Sequence, residues 1–199
     1  MAGMIGSGGS KSGVVGQTGS GWIKLWGMET SGNTWGSTYV NVSSDITTAG
    51  TLFTPRFDLF RITISHFSMD GSGGTNIQQY INGSAVTSGV RRCVQYSDSN
   101  SNEASDNSDS TSGITLSTSI GSDATKGADG VIYVHRPWDD REKKIYGRLT
   151  SYQSSENRLN TTFTSGGSNN TGKLTGLKLY SASNNINYAY ITLHGLSKV

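Results

Sequence analysis

A few clusters in this 199-residue sequence have residue types and spacings on which chemistry could be built. Gly8-Gly9-Ser10-Lys11-Ser12 sets glycine backbone donors beside a lysine and a serine, the ingredients of an anion cradle. A Walker loop needs glycine immediately before the lysine, a strand ahead of it and a helix behind it. Ser10 holds the glycine's place and neither flanking element is legible, so no nucleotide site is assigned. Asp98-Ser99-Asn100-Ser101-Asn102 alternates oxygen donors as a calcium loop does, with Asp106 and Asp109 at the ninth and twelfth places. The sharp turn of such a loop needs glycine at the sixth place and a bidentate glutamate at the last. Glu103 and Asp109 stand there instead, and no metal site is assigned. His66, His135 and His194 each end a separate segment, with nothing local to converge them on a zinc ion or a hydrolytic triad. Asp139, Asp140 and Glu142 follow Trp138, and paired carboxylates beside an aromatic ring suggest glycoside cleavage. That reaction needs the carboxylates to face each other across a sugar at roughly 5 to 9 Å, which neighbours on one loop rarely do. Interleaved with Arg136 and Arg141, they read as a solvated, ion-paired turn. No catalytic residue and no cofactor follow from these clusters. What remains is sugar stacking without cleavage, for which Trp26, Trp35 and Trp138 are the candidates; a sandwich core uses the same residues.

The elements that must carry these residues are strands. Glycine makes up 27 of the residues and proline only two, while charged residues reach 15% against a usual ~25%. Such a composition suits short strands joined by tight turns. A period of two begins at Trp22-Ile23-Lys24-Leu25-Trp26, which places Trp22 and Trp26 on one face. It recurs over 39–42 and 57–65, where Phe60, Ile62 and Ile64 lie opposite in face to Leu59 and mark a core strand. Further strands are predicted over 77–81, 90–96, 114–120, 131–135, 144–152, 159–164, 174–180 and 186–194. Asp70-Gly71-Ser72-Gly73-Gly74 and Gly166-Gly167-Ser168-Asn169-Asn170 are turn signals between them. No segment sustains a helical period. The reading is all-β: a single jelly-roll-like antiparallel β-sandwich over residues 22–199. Residues 97–113, acidic and nearly free of apolar side chains, read as a solvent-facing loop. Cys93, the sole cysteine, reads as a strand thiol packed in the core.

Residues 1–21 are rich in glycine and serine and read as an extended arm. Met4-Ile5-Gly6 and Val14-Val15-Gly16 are apolar pairs closed by glycine, suited to anchoring the arm on a neighbour; a flexible tail is the alternative. Fully extended, the arm reaches about 70 Å at ~3.3 Å per residue. It has no apolar run and one charged residue, Lys11, so no secretory signal is read. Nowhere does an apolar run approach the ~18 residues of a membrane helix. A net charge of +2, with basic runs only at 91–92 and 141–144, excludes a phosphate-tracking surface, and nucleic acid is not expected as a partner.

Both ends of the chain resemble the virion structural proteins of tailed bacteriophages. The opening Gly3-Met4-Ile5-Gly6-Ser7-Gly8-Gly9-Ser10-Lys11-Ser12-Gly13-Val14-Val15-Gly16 is similar to their short leaders. The closing Tyr188-Ala189-Tyr190-Ile191-Thr192-Leu193-His194-Gly195-Leu196-Ser197-Lys198 looks like the final strand of a phage β-module, with His194 where an aromatic residue is expected. The resemblance implies a non-enzymatic component of the virion surface. The leading expectation is a capsid decoration or head-fibre protein, a homo-oligomer with a trimer as first guess. Its arm, through Met4, Ile5, Val14 and Val15, would bind other virion proteins, above all the major capsid protein. A tail-fibre or receptor-binding component is the alternative, and a β-sandwich that binds or cleaves a host-surface glycan is a third reading.

Overall fold

The computed structural model describes residues 21–35, 37–41, 53–100, 102–110, 113–121, 127–153, 158–181, 184 and 186–197. The expected arm, apart from Gly21, and its anchors Met4, Ile5, Val14 and Val15 lie outside the described residues. Thirteen strands and no helix occur among those described: β1 (Trp22–Trp35), β2 (Ser37–Asn41), β3 (Phe57–Met69), β4 (Gly73–Ile81), β5 (Ser84–Ala85), β6 (Val90–Asp98), β7 (Glu103–Ser110), β8 (Ile114–Ile120), β9 (Ala128–His135), β10 (Lys143–Gln153), β11 (Arg158–Ser168), β12 (Leu174–Ser181) and β13 (Ile186–Ser197). They form two antiparallel sheets. The larger has eight strands in the order β1-β13-β3-β9-β10-β11-β6-β7. The smaller has the order β2-β12-β4-β5, with β8 also paired to β4. Because consecutive segments repeatedly change sheets, the chain stitches the two layers together throughout its length.

Alternation explains the packing. In β3 the side chains of Phe60, Ile62 and Ile64 are buried, while Leu59, Arg61 and Thr63 face the other way. Ile62 and Ile64 of β3, Ile132 of β9 and Ile191 of β13 meet Ile77 of β4 and Leu177 and Leu179 of β12, leaving a void of about 10 Å³ between them. The inner faces of the two sheets therefore form one core. Each large apolar side chain buried there contributes about 1.5–3 kcal/mol. Near the start of β3, Phe53, Phe57 and Phe60 pack edge to face, with centroids 4.9 and 5.7 Å apart, a geometry that places ring edges against ring faces. Further along, β8 crosses the inner face of the larger sheet. Ile114 lies over Gly166 of β11, where a Cβ would come within 3 Å of it. The Ser117 and Ser151 hydroxyls meet at 3.1 Å between the sheets, and Ser151 Oγ donates to the Ser119 carbonyl at 2.7 Å.

Local signals decide the corners. Asn82 and Gly83 join β4 to β5 with φ of 50° and 82°, the two-residue turn whose twist suits a hairpin and whose backbone only residues such as Asn and Gly adopt readily. The Gly83 amide donates to Thr175 Oγ1 at 2.8 Å, which ties this turn to β12.

Two expectations need correction here. Residues 97–113 are not a loop throughout: β7 pairs with β6 from Ser97↔Glu103 to Val90↔Ser110 and forms the edge of the larger sheet. Backbone pairing overrides the strand's poor apolar content, and its acidic side chains discourage further edge-to-edge pairing. Asp98 lies at the end of β6, its carboxylate already accepting from Asn100, Asn102 and Arg158, while Asp106 pairs with Arg92 at 2.6 Å across the ladder. Cys93, expected in the core, is exposed. It stands on the face opposite Val90 and Val94, and among the described residues no second sheet covers that face.

Candidate functional site

Among the described residues, the outer face of the larger sheet, turned away from the core, carries a row of aromatic and basic side chains. Strand register aligns one row of residues across all eight strands: Lys24, His194, Arg61, Tyr133, Tyr146, Ser165, Cys93 and Asn107. The next row runs Val131, Arg148, Phe163, Gln95 and Ser105 over β9, β10, β11, β6 and β7. Side chains in one row stand on the same face of the sheet. The rows place aromatic rings beside cations. Arg61 lies over the Trp22 ring at 4.5 Å, Trp22 meets Tyr133 at 6.1 Å, and Tyr133 stacks on Tyr146 at 5.3 Å with 23° between planes. Tyr146 remains 44% exposed and Phe163 51%, the most open rings on this face among the described residues.

Between these rings the face is hollow. A depression of about 440 Å³ lies among Tyr133, Tyr146, Arg148 and Phe163, with Cys93 and Ser165 in its lining. A second, of about 450 Å³, continues over Phe163 and Gln95 toward Ser97 and Glu103. Past Tyr146 a third, of about 540 Å³, opens toward Lys144, His135 and the turn between β9 and β10. Together they make a trough across β9, β10, β11 and β6, bordered by β7.

That turn is held from beneath. Lys143 is buried, and its Nζ donates to the Asp139 carbonyl and, at 2.6 Å, to the Arg141 carbonyl. Burial pulls its pKa below the usual lysine value, opposed by Asp139 and Asp140. Asp139 bridges to Arg136 at 3.3 Å and to Arg141 at 3.5 Å, as the ion-paired reading of 135–142 anticipates. Trp138, read from sequence as a sugar platform, is half-buried against the core: its indole donates to the Phe57 carbonyl at 2.8 Å and Arg136 covers its ring at 4.9 Å. That ring is committed to the fold. The side chains of Trp26 and Trp35 lie outside the described residues. The backbone at Trp26 does bear on one expectation. A register shift between Lys24 and Trp26 moves Trp26 opposite Leu193, whereas Trp22 is opposite Leu196, so the two tryptophans do not keep one phase of the alternation.

The histidines stay apart in role. His66, at φ 53°, packs edge to face on Tyr188 at 5.0 Å, and its amide donates to Asp129 Oδ1 at 2.8 Å. His135 is exposed at the end of β9. His194 sits between Lys24 and Arg61 in the aligned row, and its Nδ1 has no hydrogen-bond partner. Burial, then the charges of Arg61 and Lys24, push its pKa below the ordinary histidine value. Among the described residues, no three His, Cys, Asp or Glu side chains gather as a metal-binding group would.

The trough residues were not singled out by motif. Their one sequence signal is an aromatic residue on the polar phase of a strand: Tyr133 between Ile132 and Val134, Tyr146 after Ile145, and Phe163 between Thr162 and Thr164. Fold and site together define a class, an antiparallel β-sandwich whose open sheet face carries an aromatic and basic trough. Compared with known proteins, the chain matches no protein-family model and no curated protein sequence.

Proposed function

We propose that this chain is a non-enzymatic structural component of a tailed-bacteriophage particle, a capsid decoration or head-fibre protein held through its N-terminal arm. The observation that supports this reading is the strand path. Setting aside β5, the hairpin β6–β7 and the pair β10–β11 leaves two four-stranded sheets, β1-β13-β3-β9 and β2-β12-β4-β8. Interleaved in this way, they have the double Greek-key order of a jelly roll, an architecture of viral shells and lectins. Of the added strands, β6, β7, β10 and β11 widen the larger sheet and β5 the smaller, and Gly21 leads into β1 at the edge of the larger sheet. In this reading Met4-Ile5 and Val14-Val15 order on the major capsid protein, and a symmetric homo-oligomer, a trimer first, multiplies weak single contacts by avidity.

The test mixes the full chain, and the chain lacking residues 1–21, with undecorated capsids and counts the copies that sediment. Stoichiometric binding that disappears with the arm supports the proposal. Absence of binding by the full chain overturns it. The exposed Tyr146 and Phe163 favour a second reading, a tail-fibre or receptor-binding component. Copy number relative to the major capsid protein in purified particles separates the two.

A further inference from the structure

We infer that the trough on the open sheet face is a binding site for an acidic oligosaccharide. The inference stands on the trough itself and on neither placement in a virion.

Lys144, Tyr146 and Arg148 occupy successive outward positions of β10, a cation on either side of an exposed ring. Four residues at ~3.3 Å each set the two cations' backbones about 13 Å apart, a span that a short oligosaccharide covers. Cross-strand pairing puts Tyr133 beside Tyr146 and Phe163 beside Arg148, so each half of the trough has an aromatic wall. The C–H face of a pyranose ring packs on such rings as other apolar surfaces do. Gln95 and Ser165 supply short amide and hydroxyl groups that exchange hydrogen bonds with sugar hydroxyls. Among the described residues no carboxylate forms an ion pair with Lys144 or Arg148, whereas Arg92, Arg136, Arg141 and Arg158 are all paired. Two unpaired cations beside exposed rings complement a ligand that carries carboxylate or sulfate groups, and an arginine fork holds either in a bidentate, charge-assisted contact.

The backbone beneath the trough is regular. The pairings β9–β10, β10–β11 and β11–β6 run without a register shift, while β1–β13, β13–β3, β3–β9, β12–β4 and β4–β8 each contain at least one. Regular pairing fixes the spacing of the backbones that carry the rings and cations, so the strands need little rearrangement when a ligand arrives. Single-stranded nucleic acid also stacks on aromatic side chains, but it carries a phosphate on every nucleotide and is tracked by a dense basic groove. Two unpaired cations, with Glu103 and Glu142 also lining the trough, fit the sparser charge of an acidic glycan better.

The experiment is calorimetric titration of the full chain with hyaluronan, oligogalacturonate and heparin oligosaccharides. Carboxyl-reduced versions of the first two and a single-stranded DNA oligomer serve as comparisons. At least one acidic oligosaccharide is expected to bind, with its affinity falling as salt is raised. For hyaluronan or oligogalacturonate, carboxyl reduction is expected to weaken binding about tenfold or more, the scale of one lost charge-assisted contact. Arg148→Gln should weaken binding by a similar factor with an unchanged melting temperature, since its side chain lies on the exposed face; Tyr146→Ala should weaken binding likewise, with a small fall in melting temperature from the lost stack on Tyr133. The inference is overturned if no acidic oligosaccharide binds at millimolar concentration, if the reduced forms bind as well as the acidic ones, if both variants bind like the parent, or if DNA is preferred.

Discussion

Asp98 shows how a single side chain secures the rim of the trough. Its Oδ1 accepts from the Asn100 and Asn102 amides at 2.9 and 3.0 Å, and its Oδ2 from Asn102 Nδ2 at 2.9 Å and Arg158 Nη1 at 3.1 Å. The Asn102 side chain contributes most to a pKa lowered from 3.8 to about 2, against an opposing effect of burial; the two backbone amides and Arg158 add to it. One carboxylate thereby closes the turn from β6 to β7 and fastens it to β11. A carboxylate with a depressed folded pKa stabilises the fold above its unfolded pKa and loses that effect as pH falls through the folded value. Asp98→Asn is therefore expected to lower the melting temperature at neutral pH. The gap from the parent should close as pH drops from 3.8 toward about 2, as thermal melts across that range will read.

At the level of elements, the closing strand β13 depends on a bare backbone. Gly195 pairs with Phe60 of β3, and a Cβ on Gly195 would meet the Phe57 ring at 2.5 to 2.8 Å. The ring is buried, packs on Phe60, and belongs to the residue whose carbonyl receives the Trp138 indole, so it has little freedom to retreat. Gly195→Ala should cost about 1–3 kcal/mol by overpacking, read as a lower denaturation midpoint with unchanged slope. Combining it with Phe57→Leu should cost less than the sum of the two, because the smaller side chain makes room for the methyl group.

For the whole molecule, stability rests on the one core that the two sheets share. Phe60 is fully buried between Phe53 and Phe57 in that core. Phe60→Ala is expected to cost about 3–5 kcal/mol, a large share of the 5–15 kcal/mol typical of a folded domain. Equilibrium unfolding in denaturant measures it, and a loss under about 1 kcal/mol would mean that the ring is not a central contact. Because that core lies on the inner side of the larger sheet, Tyr146 and Arg148 on the outer side are free of its packing demands, and the trough has room to serve binding.

Sequence by itself determined the layers. The eleven strands predicted from alternation and turn residues are all present, the inward phase of β3 is the one that Phe60, Ile62 and Ile64 mark, and the charged turn at 135–142 is ion-paired. These are local properties: side-chain direction reverses at each residue of a strand, and Gly, Asn and Asp supply the turns wherever they lie in the fold. Tertiary structure alone decided which strands are neighbours and which face stays open. Glu103–Ser110 is a strand only because β6 offers it a ladder, Cys93 is exposed on a side that no second sheet covers among the described residues, and the backbone shifts register between Trp22 and Trp26. Tyr133, Tyr146, Arg148 and Phe163 come from three strands and become one site through register across the sheet. Alternation fixes which residues share a face within one strand. It says nothing of which residues stand beside them on the next, because that depends on long-range hydrogen bonding that no local pattern encodes.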